Sequence, residues 1–454
     1  MKIDTTLKEF ENELNEVINL FDEKDLTVTL DFSENEKEFI YDIKMMDNKQ
    51  VYKYEKENYE SELVVIRYKK RYAKLSLYLF LSAYFKKDLP WGSLTGIRPT
   101  KMARQEIESW KDFVPLFEKL KVSKDKIELS KKIIQVQKNN KVDCDNDFNL
   151  YIGIPFCPSR CNYCSFISAE VARCKDKLDL YVDTLVKEIV ECKKFIKNLK
   201  SVYVGGGTPL TLNESQLEKI FVALGKIDCE FTVEAGRADV ITKEKLQLLK
   251  DYGVNRVCVN PQTMNDKTLQ VIGRKHSVQD FIDSYNLAKE FGFIINCDLI
   301  AGLKGETHED FKYSLDSVIS LDPDNITVHT LALKKGAVLK EEKAKSDEKE
   351  VEKMIDYTHK TLSSNGYLPY YLYRQKYMAG SLENTGYTKE NKECKYNIEV
   401  MEELSQNLAL GANAISKRVY GNENRIERYK NPKDLVTYIN KIDEIISKKR
   451  ELYE

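Results

Sequence analysis

Three cysteines in one short loop constrain this chain most. They stand in Gly153-Ile154-Pro155-Phe156-Cys157-Pro158-Ser159-Arg160-Cys161-Asn162-Tyr163-Cys164, with the spacing C-x3-C-x2-C. The apolar run 151–156 directly before them reads as a strand. Three thiolates can each hold one iron of a [4Fe–4S] cluster, which leaves the fourth iron without a protein ligand. An open iron is a place where a small molecule can bind and receive an electron. Zinc is the alternative, but a structural zinc site closes four ligands from C-x2-4-C pairs. Here the neighbouring cysteines are the distant Cys144 and Cys174, and no His lies close by.

The rest of the composition sets the frame. At 454 residues and 42% hydrophobic, the chain is long enough for two or three domains with full cores. A formal net charge of −1 gives no global field toward nucleic acid or an anionic membrane. The N-terminal stretch is acidic and amphipathic, unlike a signal peptide, and the longest apolar run, 75–85, is too short to span a bilayer. A cytoplasmic location is the default expectation, with most of the ten cysteines reduced. Cys192, Cys229, Cys258, Cys297 and Cys394 read as packing residues.

Three regions follow from patterning. Residues 1–145 read as an α+β domain, with strands at 26–32, 39–44 and 63–68 and helices at 71–85, 99–109 and 124–137. Within it, Trp91-Gly92-Ser93-Leu94-Thr95-Gly96-Ile97-Arg98-Pro99-Thr100-Lys101 is a turn-rich loop, open to both a binding and a packing interpretation. Residues 148–335 alternate strand and helix. Strand candidates are 150–156, 201–204, 230–234, 256–260, 294–300 and 325–331, separated by helices at 176–198, 214–224, 242–252, 277–291 and 307–321. Repeated βα units imply a parallel sheet covered by helices, here an α/β partial (β/α)6 barrel. Residues 336–454 form a C-terminal α+β extension or substrate cap. It holds a charged connection at 336–348, a helix at 349–363, tyrosines 367, 370, 371, 373 and 377 around Arg374, a small-residue turn or strand at 408–416 and a final helix at 433–448.

In such folds ligands collect at the carboxyl ends of the strands. The chemistry-bearing residues fall there: Cys157 after the first strand, Gly205-Gly206-Gly207-Thr208-Pro209 after the second, Glu234 ending the third, Gln262 after the fourth and Asp298 in the fifth. Glycines let backbone approach a ligand closely. Acids in apolar strands are costly unless partnered. Glu234 and Asp298 suit an ammonium and a ribose or sulfonium, the alternative being a buried pair with Arg256 or Arg274. Arg274 is suited to a carboxylate, the alternative being a surface residue of Gly273-Arg274-Lys275-His276. His276, His308, His329 and His359 stand in no metal-ligand spacing and read as structural. An open cluster iron with such a strand-end site is how a radical-generating S-adenosylmethionine (SAM) enzyme begins.

Tyr151-Ile152-Gly153-Ile154-Pro155-Phe156-Cys157 with Cys161, Tyr163 and Cys164 resembles the cluster loop of oxygen-independent coproporphyrinogen III oxidases (dehydrogenases). So do the Gly205–Pro209 run, Gly253-Val254-Asn255-Arg256 with Gln262, Gly273-Arg274-Lys275-His276, Asp298-Leu299-Ile300-Ala301-Gly302-Leu303 and Leu410-Gly411-Ala412-Asn413-Ala414-Ile415-Ser416. The long N-terminal region and its Trp91 loop are similar to the HemZ-type branch. The resemblance implies a partial barrel with a C-terminal substrate domain. It implies a cluster on Cys157, Cys161 and Cys164, and SAM contacts from Tyr151, Tyr163, Gly206, Gly207, Thr208, Glu234, Gln262, Arg274 and Asp298, with Ala332 a looser candidate. It also implies reductive SAM cleavage, then decarboxylation of porphyrinogen propionates to vinyl groups in haem biosynthesis. The partners would be a tetrapyrrole and a flavodoxin or ferredoxin electron donor, with no membrane insertion and no nucleic acid; Arg374 among its tyrosines is a candidate contact for the tetrapyrrole's carboxylates, ordinary core packing being the alternative. Two positions depart from the oxidases: Gly153 stands where they carry His, and Phe166 where they carry a fourth Cys. Branches without that cysteine include proteins resembling haem carriers. A haem-binding protein, or a radical SAM enzyme acting on haem or RNA, is therefore the alternative expectation.

Overall fold

The computed structural model describes residues 1–21, 25–59, 61–96, 98–109, 111–164, 169–332, 347–375, 378–421 and 425–454. Ile97, Phe166, Tyr377 and most of the 336–348 connection lie outside them. The chain forms two compact units, Met1–Lys131 with Arg374–Lys376, and Lys132–Tyr373 with Tyr377–Glu454.

In the first unit a four-stranded sheet runs in the order β1 (Lys2–Thr5), β2 (Thr27–Glu34), β3 (Glu38–Met45), β4 (Asn48–Glu55). Val28, Leu30, Phe39, Tyr41, Ile43 and Met45 alternate onto one buried face. Helices α1 (Glu11–Ile18), α2 (Glu62–Phe85), α3 (Pro99–Glu108) and α4 (Val114–Lys119) follow, and α5 (Lys124–Gln137) begins in this unit and ends in the second. The strand expected at 63–68 is instead the start of α2. Ser61 caps that helix by accepting the Val64 amide, and the apolar run does not alternate in burial, since Leu63 and Ile66 both face solvent. The unexpected strand is β4, whose polar, exposed sequence carries little strand signal. Trp91 is fully buried. The Arg374 guanidinium lies 5.5 Å over its ring and donates to the Leu94 carbonyl, so this arginine is engaged in packing the Trp91 loop.

The second unit is built on one open sheet. Its strands are β5 (Asp147–Ile154), β8 (Asn198–Gly206), β9 (Glu230–Gly236), β10 (Arg256–Val259), β11 (Ile294–Ala301), β12 (Asn325–Thr330), β13 (Leu368–Tyr373), β14 (Asn384–Thr388), β15 (Gln406–Leu410), β16 (Ile415–Tyr420) and β17 (Arg425–Lys430). A short separate pair, β6 (Phe156–Cys157) with β7 (Ala169–Glu170), carries the first cysteine. The eleven strands lie in the order β13-β14-β12-β11-β10-β9-β8-β5-β15-β16-β17. Strands β5 and β8 to β12 are mutually parallel, and β15 extends the parallel run beside β5.

Helices α6 (Leu178–Cys192), α7 (Glu214–Leu224), α8 (Lys243–Asp251), α9 (Asp266–Val271), α10 (Val278–Glu290) and α11 (His308–Leu321) connect these strands. Capping boxes at Asn213, Ser277 and Thr307 start three of them. Ile152, Val204 and Val233 pack outward with Leu185, Ile220 and Leu315 of the helices. The intervening residues, among them Tyr151, Tyr203 and Glu234, turn to the opposite face. Helix α12 spans Glu348–Ser364, and α13 (Lys395–Glu402) lies against β5 and β8. Tyr396 of α13 stacks on Tyr203 with centroids 4.6 Å apart, and Asn149 donates to Glu399 at 2.9 Å. The expected last helix is two, α14 (Leu435–Asn440) and α15 (Ile442–Tyr453), broken at Lys441. Among the described residues no helix is long and apolar enough to cross a membrane.

Candidate functional site

The cysteine loop is fixed by its neighbours. The Gly207 and Thr208 amides donate to the Ile154 and Phe156 carbonyls at 2.8 and 2.7 Å. The Thr208 hydroxyl reaches Cys157 Sγ at 3.5 Å. A Cβ on Gly207 would collide with the Phe156 carbonyl and stand 3.0 Å from Cys157 Sγ. The glycine-rich turn thus spends these two amides on the loop that carries Cys157. Farther along, Arg237 donates to Ser159 Oγ at 2.8 Å and the Asn162 amide donates to the Ile272 carbonyl at 2.9 Å. The Cys164 amide closes a turn on the Cys161 carbonyl at 3.0 Å.

Among the described residues no three His, Cys, Asp or Glu side chains converge tightly enough to hold one metal ion. A single zinc would need thiolates about 2.3 Å from it, whereas the thiolates of a [4Fe–4S] cluster bind separate irons. Three cysteines on one loop supply the separate thiolates that such a cluster takes, with one iron left open.

From this loop a polar track crosses the strand ends. Arg274, buried, reaches the Tyr163 hydroxyl at 3.4 Å and donates to the Asn260 carbonyl. Burial works against its charge, yet Tyr163 and Cys161 beside it hold its pKa above the ordinary value. Asn260 donates through Nδ2 to Glu234 Oε2 at 3.2 Å, and its Oδ1 accepts the Asp298 amide at 3.3 Å. Tyr203 donates to the other Glu234 oxygen. Burial, then the carboxylate of Asp298, pushes Glu234 up to about 7. Gln262 has a φ of 67° and joins β11 by an isolated bridge, its amide donating to the Asp298 carbonyl at 2.9 Å. Arg256 pairs instead with Glu230 at 3.4 Å and with Asn325, so neither arginine neutralises Glu234 or Asp298.

Two buried polar atoms along the track, Gln262 Oε1 and Arg274 Nε, have no protein partner. Orphaned groups of this kind are costly unless a ligand meets them. Tyr151 Oη stands 3.2 Å from where a Gly206 Cβ would be, and Gly206 has a φ of 111°. Burial and the nearby Glu234 raise the pKa of Tyr151. The fold therefore gathers Tyr163, Glu234, Gln262, Arg274 and Asp298 into one track, with Tyr151, Gly206, Gly207 and Thr208 beside the cysteine loop. Ala332 follows the carboxyl end of β12 and forms a bridge with Met378.

Asn260, Tyr203 and His329 belong to the same face and were not expected. Tyr203 was findable, two residues from Gly205 on one strand face. His329 had no motif to mark it.

The description "Radical SAM superfamily" matches residues 151–318. The oxygen-independent coproporphyrinogen-III oxidase-like protein HemZ of Bacillus subtilis is 34% identical over 385 residues, covering 80% of this chain and 77% of the relative. The heme chaperone HemW of Bacillus subtilis is 36% identical over 190 residues, covering 40% of this chain and 49% of that protein. The structure of coproporphyrinogen III oxidase (HemN) from Escherichia coli, at 24% identity, shares the fold with a TM-score of 0.54, over 66% of this chain and 70% of that one. The chain belongs to the radical SAM superfamily, within the family of HemZ, HemW and HemN, and its cofactors are that superfamily's [4Fe–4S] cluster and SAM.

Proposed function

We propose that the chain is a radical SAM enzyme of tetrapyrrole metabolism that oxidatively decarboxylates porphyrinogen propionates to vinyl groups. The polar track running from the cysteine loop to Asp298, with Gln262 Oε1 and Arg274 Nε left for a ligand, carries this assignment. Cys157, Cys161 and Cys164 hold the cluster. Arg274 meets the carboxylate of SAM, Glu234 its ammonium and Asp298 its ribose, while Gln262 supplies an amide. When bound, cluster and SAM supply a one-electron reductive cleavage to methionine and a radical able to abstract hydrogen from substrate. An ammonium beside Glu234 favours its carboxylate form, so the residue fits a cationic ligand better than an empty site.

Tetrapyrrole as substrate draws support from the relatives' names. A second possibility, a haem-binding protein that retains the cluster, is favoured by Gly153 and Phe166 and by the relatives named heme chaperones.

Anaerobic incubation of reconstituted protein with SAM, dithionite and coproporphyrinogen III, followed by mass spectrometry, separates them. Loss of two carboxyl groups with matching 5′-deoxyadenosine is the expected result, abolished by Cys157→Ala. 5′-Deoxyadenosine without decarboxylation would redirect the chemistry to haem or another substrate. Haem binding with neither product would establish the second possibility.

A further inference from the structure

His329 stands on β12, paired in register with Ile300. Its Nε2 lies 3.5 Å from Asp298 Oδ2, and its Nδ1 lies 3.2 Å from the Tyr373 hydroxyl. The two rings meet edge to face, 6.3 Å between centroids. The other carboxylate oxygen, Asp298 Oδ1, accepts from Asn296 Nδ2 at 2.7 Å. That amide is itself oriented by Thr327, whose hydroxyl donates to Asn296 Oδ1 at 3.0 Å. Both oxygens of Asp298 thus face a side chain that a second residue orients. A tyrosine hydroxyl donating to Nδ1 leaves the imidazole proton on Nε2, aimed at the carboxylate; that tautomer is assigned from the partners. His329 keeps 28% of its side chain exposed and Asp298 16%, so the pair is reachable from the strand ends.

We infer that His329 is a positioning residue for Asp298, with Tyr373 setting its tautomer, and that this brace determines the affinity for SAM. The inference rests on Asp298 contacting SAM. A supporting residue that fixes a binding carboxylate lowers the cost of ordering it when the ligand arrives. His329→Ala frees one edge of the carboxylate, while His329→Gln keeps an N–H donor within reach.

The test is equilibrium dialysis of cluster-loaded protein against radiolabelled SAM, with iron content and cluster absorbance recorded for each variant. His329→Ala is expected to weaken SAM about tenfold, as the loss of a close N–H contact with a charged group does. His329→Gln should recover most of that loss, and Tyr373→Phe should fall between, all with cluster absorbance unchanged. Wild-type affinity in His329→Ala, alongside weakened binding in Asp298→Asn, would overturn the inference and leave the role of Asp298 standing. Wild-type affinity in Asp298→Asn would remove both. Equal losses in His329→Gln and His329→Ala would also overturn it, because the N–H donor would then be irrelevant. If His329→Ala fails to take up its cluster, Tyr373→Phe and His329→Gln decide the matter.

Discussion

Glu234 is a carboxyl group kept away from water with a second acid as neighbour, and this has a measurable cost. Burial first, then Asp298, raises it from the ordinary 4.5 to about 7. Between those values the folded chain holds a proton that the unfolded chain has released. Stability contributed by this residue therefore falls as pH rises through that window and stays low above it. In SAM-free protein, Glu234→Gln should gain about 2 kcal/mol at pH 8 and nothing near pH 4, read from denaturant midpoints. With SAM present the ranking should invert, because the variant has no charge for the ammonium. Gly207 makes the opposite point, a residue whose missing atom matters. The strain of placing a methyl against the Phe156 carbonyl and Cys157 is about 1–3 kcal/mol. Gly207→Ala should keep its far-ultraviolet circular dichroism and bind markedly less iron per chain on reconstitution.

At the level of elements, a fully buried ion pair ties the end of the second unit to its beginning. Lys449 of α15 lies 2.6 Å from Glu188 of α6. Glu188 also accepts from the Gly411 amide at 2.7 Å, Asn431 at 2.9 Å and the Tyr438 hydroxyl at 2.7 Å. Tyr181 of α6 donates to the Gly153 carbonyl at 2.6 Å. Removing one partner leaves a buried charge alone, so Glu188→Ala should cost about 3–5 kcal/mol by chemical denaturation. The elements themselves were largely legible. All six barrel strands read as apolar runs because parallel strands are covered on both faces, and helices of sufficient length stood between them. The chain misled where that rule lapses. Residues 63–68 form an apolar run too short to fix a period, and β4 is an edge strand with a polar sequence. Glu234 and Asp298 were visible because an acid in an apolar strand is a conspicuous expense. His329, Asn260 and Tyr203 were not, because their meeting depends on the register of five separate strands, which no local pattern encodes.

For the molecule as a whole, the decisive feature is the strand order of the large sheet. The strand that leads into the cysteine loop, β5, is not at an edge; it runs between β8 and β15. Ile152 is paired with Leu410, and a Cβ on Gly411 would meet the Gly153 carbonyl and stand 2.8 Å from Tyr181 Oη. Residues after 336 likewise supply β13 and β14 at the far side of the same sheet. During synthesis, β8 is available to β5 almost at once. Its other neighbour emerges about 250 residues later, which at ribosomal speeds is on the order of tens of seconds. Over that interval the three thiols are already made while the strand before them has one side open. The support beside the cysteine loop is therefore complete only once residues 406–410 have paired with β5.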